Sequence, residues 1–271
     1  MLLDVPKELR LAALHWLAES DPVLKSAGVI ALAQASKKGE ICLEVDASLT
    51  TLQPIPGHPL RPELVSHLSV PRRSMRTEEG RAALIHALTH IEFNAINLAL
   101  DAIWRFSEMP REYYIDWLKV ASRRSSTFSL LSAHLLTKGY AYGDFAAHNG
   151  LWDMVEKTTD DILARMALVP RTMEARGLMP APPLRAKLAQ AGDIAAAEII
   201  DIILADEIGH VLIGNRWFNW ICETRGLEPV STYASLAEIY KAPTLRGPFN
   251  IEARRAAGFS ESELMALMVV K

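Results

Sequence analysis

The stretch Ala205–His210 reads A-D-E-I-G-H and lies deep in a long apolar run, Asp193 to Cys222. Glu207 and His210 are three positions apart, so on an α-helix they share a face one turn apart. A carboxylate and an imidazole at that spacing, on a helix too apolar for a surface helix, are half of a bundle-core metal site. The plainer reading is a solvated or mutually bonded pair, because Glu-x-x-His recurs by chance. Two more acids sit among apolar neighbours on other helical patterns, Glu92 in H-A-L-T-H-I-E-F-N-A-I and Glu174 in T-M-E-A-R-G-L. A buried acid is costly unless it is paired or bound to metal. Three such acids therefore point to a buried charge cluster, held by metal or by ion pairs.

Other side chains carry weaker signals. His86 and His90 share one face of their helix. His90 reads as a second-shell partner to a carboxylate or as a satisfied core histidine, the latter being the stronger reading. Glu92 lies roughly 200° round the helix from His90, so these three do not form one metal face. Asp206 stands beside Glu207 as a further second-shell position. Arg171 and Arg176 could hold an anionic substrate, although solvated helix-end charges are the stronger reading. Trp152, Trp217 and Trp220 read as core and pocket wall. There is no phosphate loop, nucleophile elbow or zinc ribbon.

The elements that position these residues are helical. Residues 6–36 read as two short helices, the second opened by Asp21-Pro22. Residues 37–80 carry Pro54, Pro56, Pro59, Pro62 and Pro71, which predict an extended arm with one short helix near Pro62–Leu68. Ile41, Leu43, Val45, Leu49 and Leu52 are its expected apolar anchors. Four long helical patterns follow, over Glu79–Arg105, Glu112–Leu136, Leu151–Arg176 and Asp193–Arg225. The first has its apolar stripe at Leu84, Leu88, Ile91, Ala95, Leu98 and Ile103. Pro170 should kink the third, and Asp193 should cap the fourth. Tyr140–Gly150 is an aromatic, Gly-containing loop that suits a lid or pocket wall, and Leu178–Leu184 is a proline-bearing linker. Ser260-Glu261-Ser262-Glu263 is a capping-box signature in a tail of short elements. Strand patterns are nearly absent. The expected class is all-α: a four-helix bundle over 79–226, an N-terminal arm over 1–78 and a C-terminal extension over 227–271.

Composition is consistent with this. The 271 residues are 50% apolar and 23% charged with a net charge of −3, which leaves no electrostatic footprint for nucleic acid or a membrane surface. The two cysteines, Cys42 and Cys222, form no paired motif and fit buried thiols in a reducing compartment. No signal peptide or membrane span is evident, so a cytoplasmic protein is expected.

Several long motifs also carry a resemblance. H-A-L-T-H-I-E-F-N-A-I at 86–96, G-L-W-D-M at 150–154, A-R-M-A-L-V-P-R-T-M-E-A-R-G-L at 164–178, D-E-I-G-H-V-L-I-G-N-R-W-F at 206–218 and A-P-x-L-x-x-P-F-N at 242–250 resemble a bacterial ferritin-like family of unknown function. That family is similar to the ferritin-like tRNA hydroxylases and other di-iron carboxylate proteins. The resemblance implies a ferritin-like bundle with Glu92 as first-helix ligand, Glu174 as third-helix ligand, and Glu207 with His210 as the fourth-helix pair. The second helix departs from it. Where the family pattern resembles V-A-x-E-E-A-x-H-F, this chain reads V-A-S-R-R-S-S-T-F at 120–128. Arg124 stands at the Glu position and Thr127 at the His position. Arginine cannot ligate a metal, and threonine is a poor ligand.

Two functions are therefore expected to compete. One is a non-haem iron or manganese oxidoreductase, an O₂-dependent hydroxylase by the resemblance, with one ion or none rather than two. Its substrate would be a small molecule or a modified nucleoside entering beside the 140–150 loop. The other is a metal-free bundle with a binding or structural role, in which Arg124 replaces the metal. Metal storage is a third and weaker reading, and a homodimer is compatible with either of the first two.

Overall fold

The computed structural model describes residues 5–71, 73–178, 181–245, 247 and 249–269. The chain is all-α, and no strand occurs among the described residues. These residues divide into two compact units, within Met1–Trp152 and Asp153–Lys271.

In the first unit, α1 (Leu9–Ala18) and α2 (Pro22–Lys37) precede two long helices, α3 (Glu78–Arg105) and α4 (Arg111–Thr137). The Asp21 carboxylate accepts from the Val23 and Leu24 amides, and Pro22 fits the first turn, which fixes the start of α2. Thr77 caps α3 by accepting from Gly80 N. α3 packs along α4, with α1 against α3 and α2 against α4. α4 ends at Thr137, and Gly139 turns left-handed with φ 78°, which lets the chain leave the helix without a Cβ penalty.

Residues 38–77 form the irregular arm, and the short helix expected near Pro62–Leu68 is absent there. Its hold is polar rather than apolar. Ile41, Leu43, Val45 and Leu49 are only half-buried and Leu52 is exposed. Instead, the buried Arg10 guanidinium donates to the carbonyls of Glu44, Val45, Ala47 and Trp104. An irregular segment leaves carbonyls without ladder partners, and a buried cation satisfies several at once.

The second unit is centred on α8 (Ile194–Thr224), which packs against most other elements of the unit. Asp193 caps it as expected, accepting from Ala196 N. α9 (Pro229–Ile239), α10 (Ile251–Ala256) and α11 (Glu261–Val269) form the tail. The capping box at the start of α11 is reciprocal. Ser260 N donates to Glu263 Oε2 at 2.7 Å, and Glu263 N donates to Ser260 Oγ at 3.3 Å.

The expected continuous helix over 151–176 is broken. It consists of α5 (Trp152–Lys157), α6 (Ile162–Leu168), a π-helical turn (Val169–Met173) and a 3₁₀ turn (Glu174–Arg176). Asp161 restarts the helix by accepting from Leu163 N. Pro170 then lacks an amide proton and crowds the preceding turn, and the backbone widens to a π turn there. A π turn also lets another element approach closely. A Cβ on Gly214 of α8 would lie 2.3 Å from Pro170 Cβ, so glycine is required at that contact. Of the expected linker Leu178–Leu184, Met179 and Pro180 lie outside the described residues, and α7 (Ala181–Gln190) begins directly after them.

Candidate functional site

The first-unit residues come together around Glu92. It faces inward from α3 and is 3% exposed. Arg124, on the facing stretch of α4 and equally buried, donates from Nη1 to Glu92 Oε1 at 3.0 Å. Thr127, one turn along α4, donates its hydroxyl to Glu92 Oε2 in a short hydrogen bond. Both carboxylate oxygens thus accept from side chains of α4.

Above this pair lies a second polar layer. His86 and His90 are buried on α3, whereas Leu84 and Leu88 are half-exposed and Ile91 is exposed. The buried stripe is therefore turned from the expected apolar register in the first half of α3, while Ala95, Leu98 and Ile103 are buried as expected. Its partners come from the 140–150 loop. Gly143 N donates to His86 Nε2 at 2.9 Å, Tyr142 Oη lies 2.9 Å from His90 Nδ1, and His148 O lies 3.2 Å from His90 Nε2. Tyr142 also stacks on the His86 ring and meets Phe93 and Phe128. His90 is thus a satisfied core histidine. The loop is bolted down by these bonds and by a bridge between Leu64 and Ala147, which suits a wall better than a lid. Burial pushes both imidazoles down to about 4, so both are neutral at pH 7.

Lys25 is a buried cation that sequence reasoning missed. Its ammonium donates to Asn97 Oδ1 at 2.5 Å and to the Leu17 and Gly57 carbonyls at 3.2 Å, and burial pushes it down to about 7. All three of its protons meet neutral acceptors, so it ties α1, α2, α3 and the arm together.

In the second unit, Glu174, Glu207 and His210 are all buried, and Asp206 is half-buried. The Glu207 carboxylate lies beside Gly177, where a Cβ would meet its Oε1 at 3.6 Å, and Gly177 N donates to Glu174 O at 2.7 Å. Glu207 therefore sits against the turn that follows Glu174. Among the described residues, no three His, Cys, Asp or Glu side chains are grouped so as to hold a metal ion. The residues present do not fit a two-metal carboxylate centre. Arg124 and Thr127, which stand where such a centre needs a second Glu-x-x-His pair, instead donate to Glu92.

Two more expectations are corrected here. Arg171 is not a solvated helix-end charge. It is 3% exposed, pairs with Glu263 of α11 at 2.6 Å and stacks on Phe218, Tyr233 and Phe259, whereas Arg176 is exposed. Cys222 is buried but Cys42 is exposed. Trp152 and Trp217 are core, and Trp220 is half-exposed. No helix among the described residues is long and apolar enough to cross a membrane.

Comparison with known proteins gives the lineage. A protein from Haemophilus influenzae (strain ATCC 51907 / DSM 11121 / KW20 / Rd), described as uncharacterized, is 50% identical over 217 residues, covering 78% of this chain and 75% of its own length. No solved structure matches. The profile of the family described as "Protein of unknown function (DUF455)" matches residues 18–265. That match covers the arm, all four long helical patterns and most of the tail, so the chain belongs to the DUF455 family.

Proposed function

We propose that this chain is a ferritin-like helical protein that works without a di-metal centre, as a binding protein, with Arg124 in the place of a metal ligand. One observation carries the reading. Glu92, the acid expected to ligate from α3, has both oxygens engaged by Arg124 and Thr127. A guanidinium supplies the positive charge that a buried carboxylate needs and forks readily onto it, much as a cation would. It also makes the position useless for metal, because arginine keeps its proton and offers no lone pair.

A second reading is an iron or manganese oxidoreductase with one ion held by Glu174, Glu207 and His210. Its support is the burial of all three within the second unit. Iron and manganese content of aerobically purified protein separates the two. The proposal expects far less than one ion per chain. Arg124→Glu combined with Thr127→His should then gain iron and near-ultraviolet charge-transfer bands, with folding checked by circular dichroism. Two metals per chain in the unaltered protein, or no gain in the folded double variant, overturns the proposal.

A further inference from the structure

The second unit holds another buried cation that neither reading uses. Arg254 of α10 is fully buried. Its Nη2 donates to Ala175 O at 3.3 Å, while Nε and Nη1 have no hydrogen-bond partner among the described residues. Arg171 is in a similar state. Its Nη2 is taken by Glu263 Oε1, and its Nε and Nη1 have no partner. The two guanidiniums are neighbours, since both lie against the Phe259 ring, at 5.1 Å for Arg171 and 5.3 Å for Arg254. Burial, assisted by the charge of Arg171 though partly offset by Tyr233, holds the Arg254 pKa below its usual value.

Glu263 pairs with Arg171, which holds its carboxyl below the usual range against the burial that would raise it, and Arg254 has no such carboxylate partner among the described residues. Buried unpaired charge is expensive, and buried N–H groups without acceptors add to the cost. Aromatic rings surround both guanidiniums, Phe218, Tyr233 and Phe259 around Arg171 and Phe249 and Phe259 around Arg254. The unpartnered N–H donors of a guanidinium select oxyanions. Tyr233, Phe249 and Phe259, the rings that cover the arginines, are only half-buried.

We propose that Arg171 and Arg254 form an anion-binding site for a phosphate group, with the aromatic shell holding the guanidiniums in place. A phosphate supplies negative charge against this surplus positive charge, and its acceptor oxygens can take one unpartnered N–H donor from each guanidinium. The site shares no residue with the Glu92–Arg124 pair and does not depend on whether any metal is bound.

Titration of the full chain with inorganic phosphate at constant ionic strength in chloride buffer, by calorimetry and ³¹P NMR, tests this. One saturable phosphate per chain is expected, with a rise in Tm that tracks occupancy. Arg254→Met should weaken binding at least about tenfold, the loss of one charge-assisted bond, yet melt no lower than the unaltered protein in chloride. Arg254→Lys keeps the charge, removes the fork and should also weaken binding, which covers a folding failure of the Met variant. Arg176→Met, at an exposed position, should change nothing. Phenyl phosphate distinguishes the source: tighter binding than inorganic phosphate assigns a phosphate group on a larger molecule, and equal or weaker binding assigns free phosphate. No saturable binding at millimolar phosphate, unchanged affinity in both Arg254 variants, or acetate binding as tightly as phosphate overturns the proposal.

Discussion

At the residue scale, the buried ion pair on Glu92 is the feature with the largest local consequence. Arg124 and Glu92 are each nearly devoid of solvent contact, so each gains charge compensation from the other. Removing one partner of such a pair leaves an uncompensated buried charge and costs about 3–5 kcal/mol, whereas replacing both by apolar groups is often neutral. Arg124→Met is therefore expected to lower the unfolding free energy by that amount, and adding Glu92→Leu should recover much of it. Urea unfolding at pH 7 of the two single variants and the double variant measures the coupling. A change of less than about 0.5 kcal/mol in Arg124→Met, the usual range for a surface substitution, would show that the pair carries little.

At the element scale, the contact between α8 and the π turn is decided by one missing Cβ. Alanine is normally the better helix former by about 1 kcal/mol, so Gly214→Ala would stabilise an open helix. Here the added carbon would lie 2.3 Å from Pro170 Cβ, and both the proline ring and the helix backbone are stiff. Overpacking of this kind costs about 1–3 kcal/mol, so the expected net effect is a lower Tm. Pro170→Ala removes the opposing ring and should relieve the penalty in the double variant. Thermal melts of the four species close the cycle, and additive effects would show that the two positions do not meet.

At the scale of the whole molecule, His86 and His90 set a limit on the acid side. Burial holds their folded pKa at about 4 against 6.5 for the free side chain. Below pH 6.5 the unfolded chain binds protons that the folded chain refuses, so stability falls as pH drops from 6.5 towards 4. For His90 the loss is about 2 kcal/mol by pH 5, and its neighbours Tyr142, His148, His86 and His58 supply no carboxylate to offset it. Urea midpoints at pH 7.5 and 5 should differ, and His90→Gln should flatten the difference. An unchanged slope in that variant would mean that His90 is protonated in the fold.

What the sequence determined by itself was local. Helix periods, the Asp21 and Asp193 caps and the Ser260–Glu263 box depend on residues within one or two turns, so they were legible and the structure realises them. Only the tertiary structure decided who pairs with whom. Arg124 beside Glu92 was expected from the resemblance, whereas Arg171 meets Glu263 across 92 residues, and nothing in local sequence encodes such a partner. The same cause turned the buried face of α3. His86 and His90 displace Leu88 and Ile91 from the interior because the 140–150 loop brings them hydrogen-bond partners. A proline foretold a kink in the third long pattern. That the kink became a π turn followed by a 3₁₀ turn, and that Gly214 packs beside Pro170 there, is seen only in the folded chain.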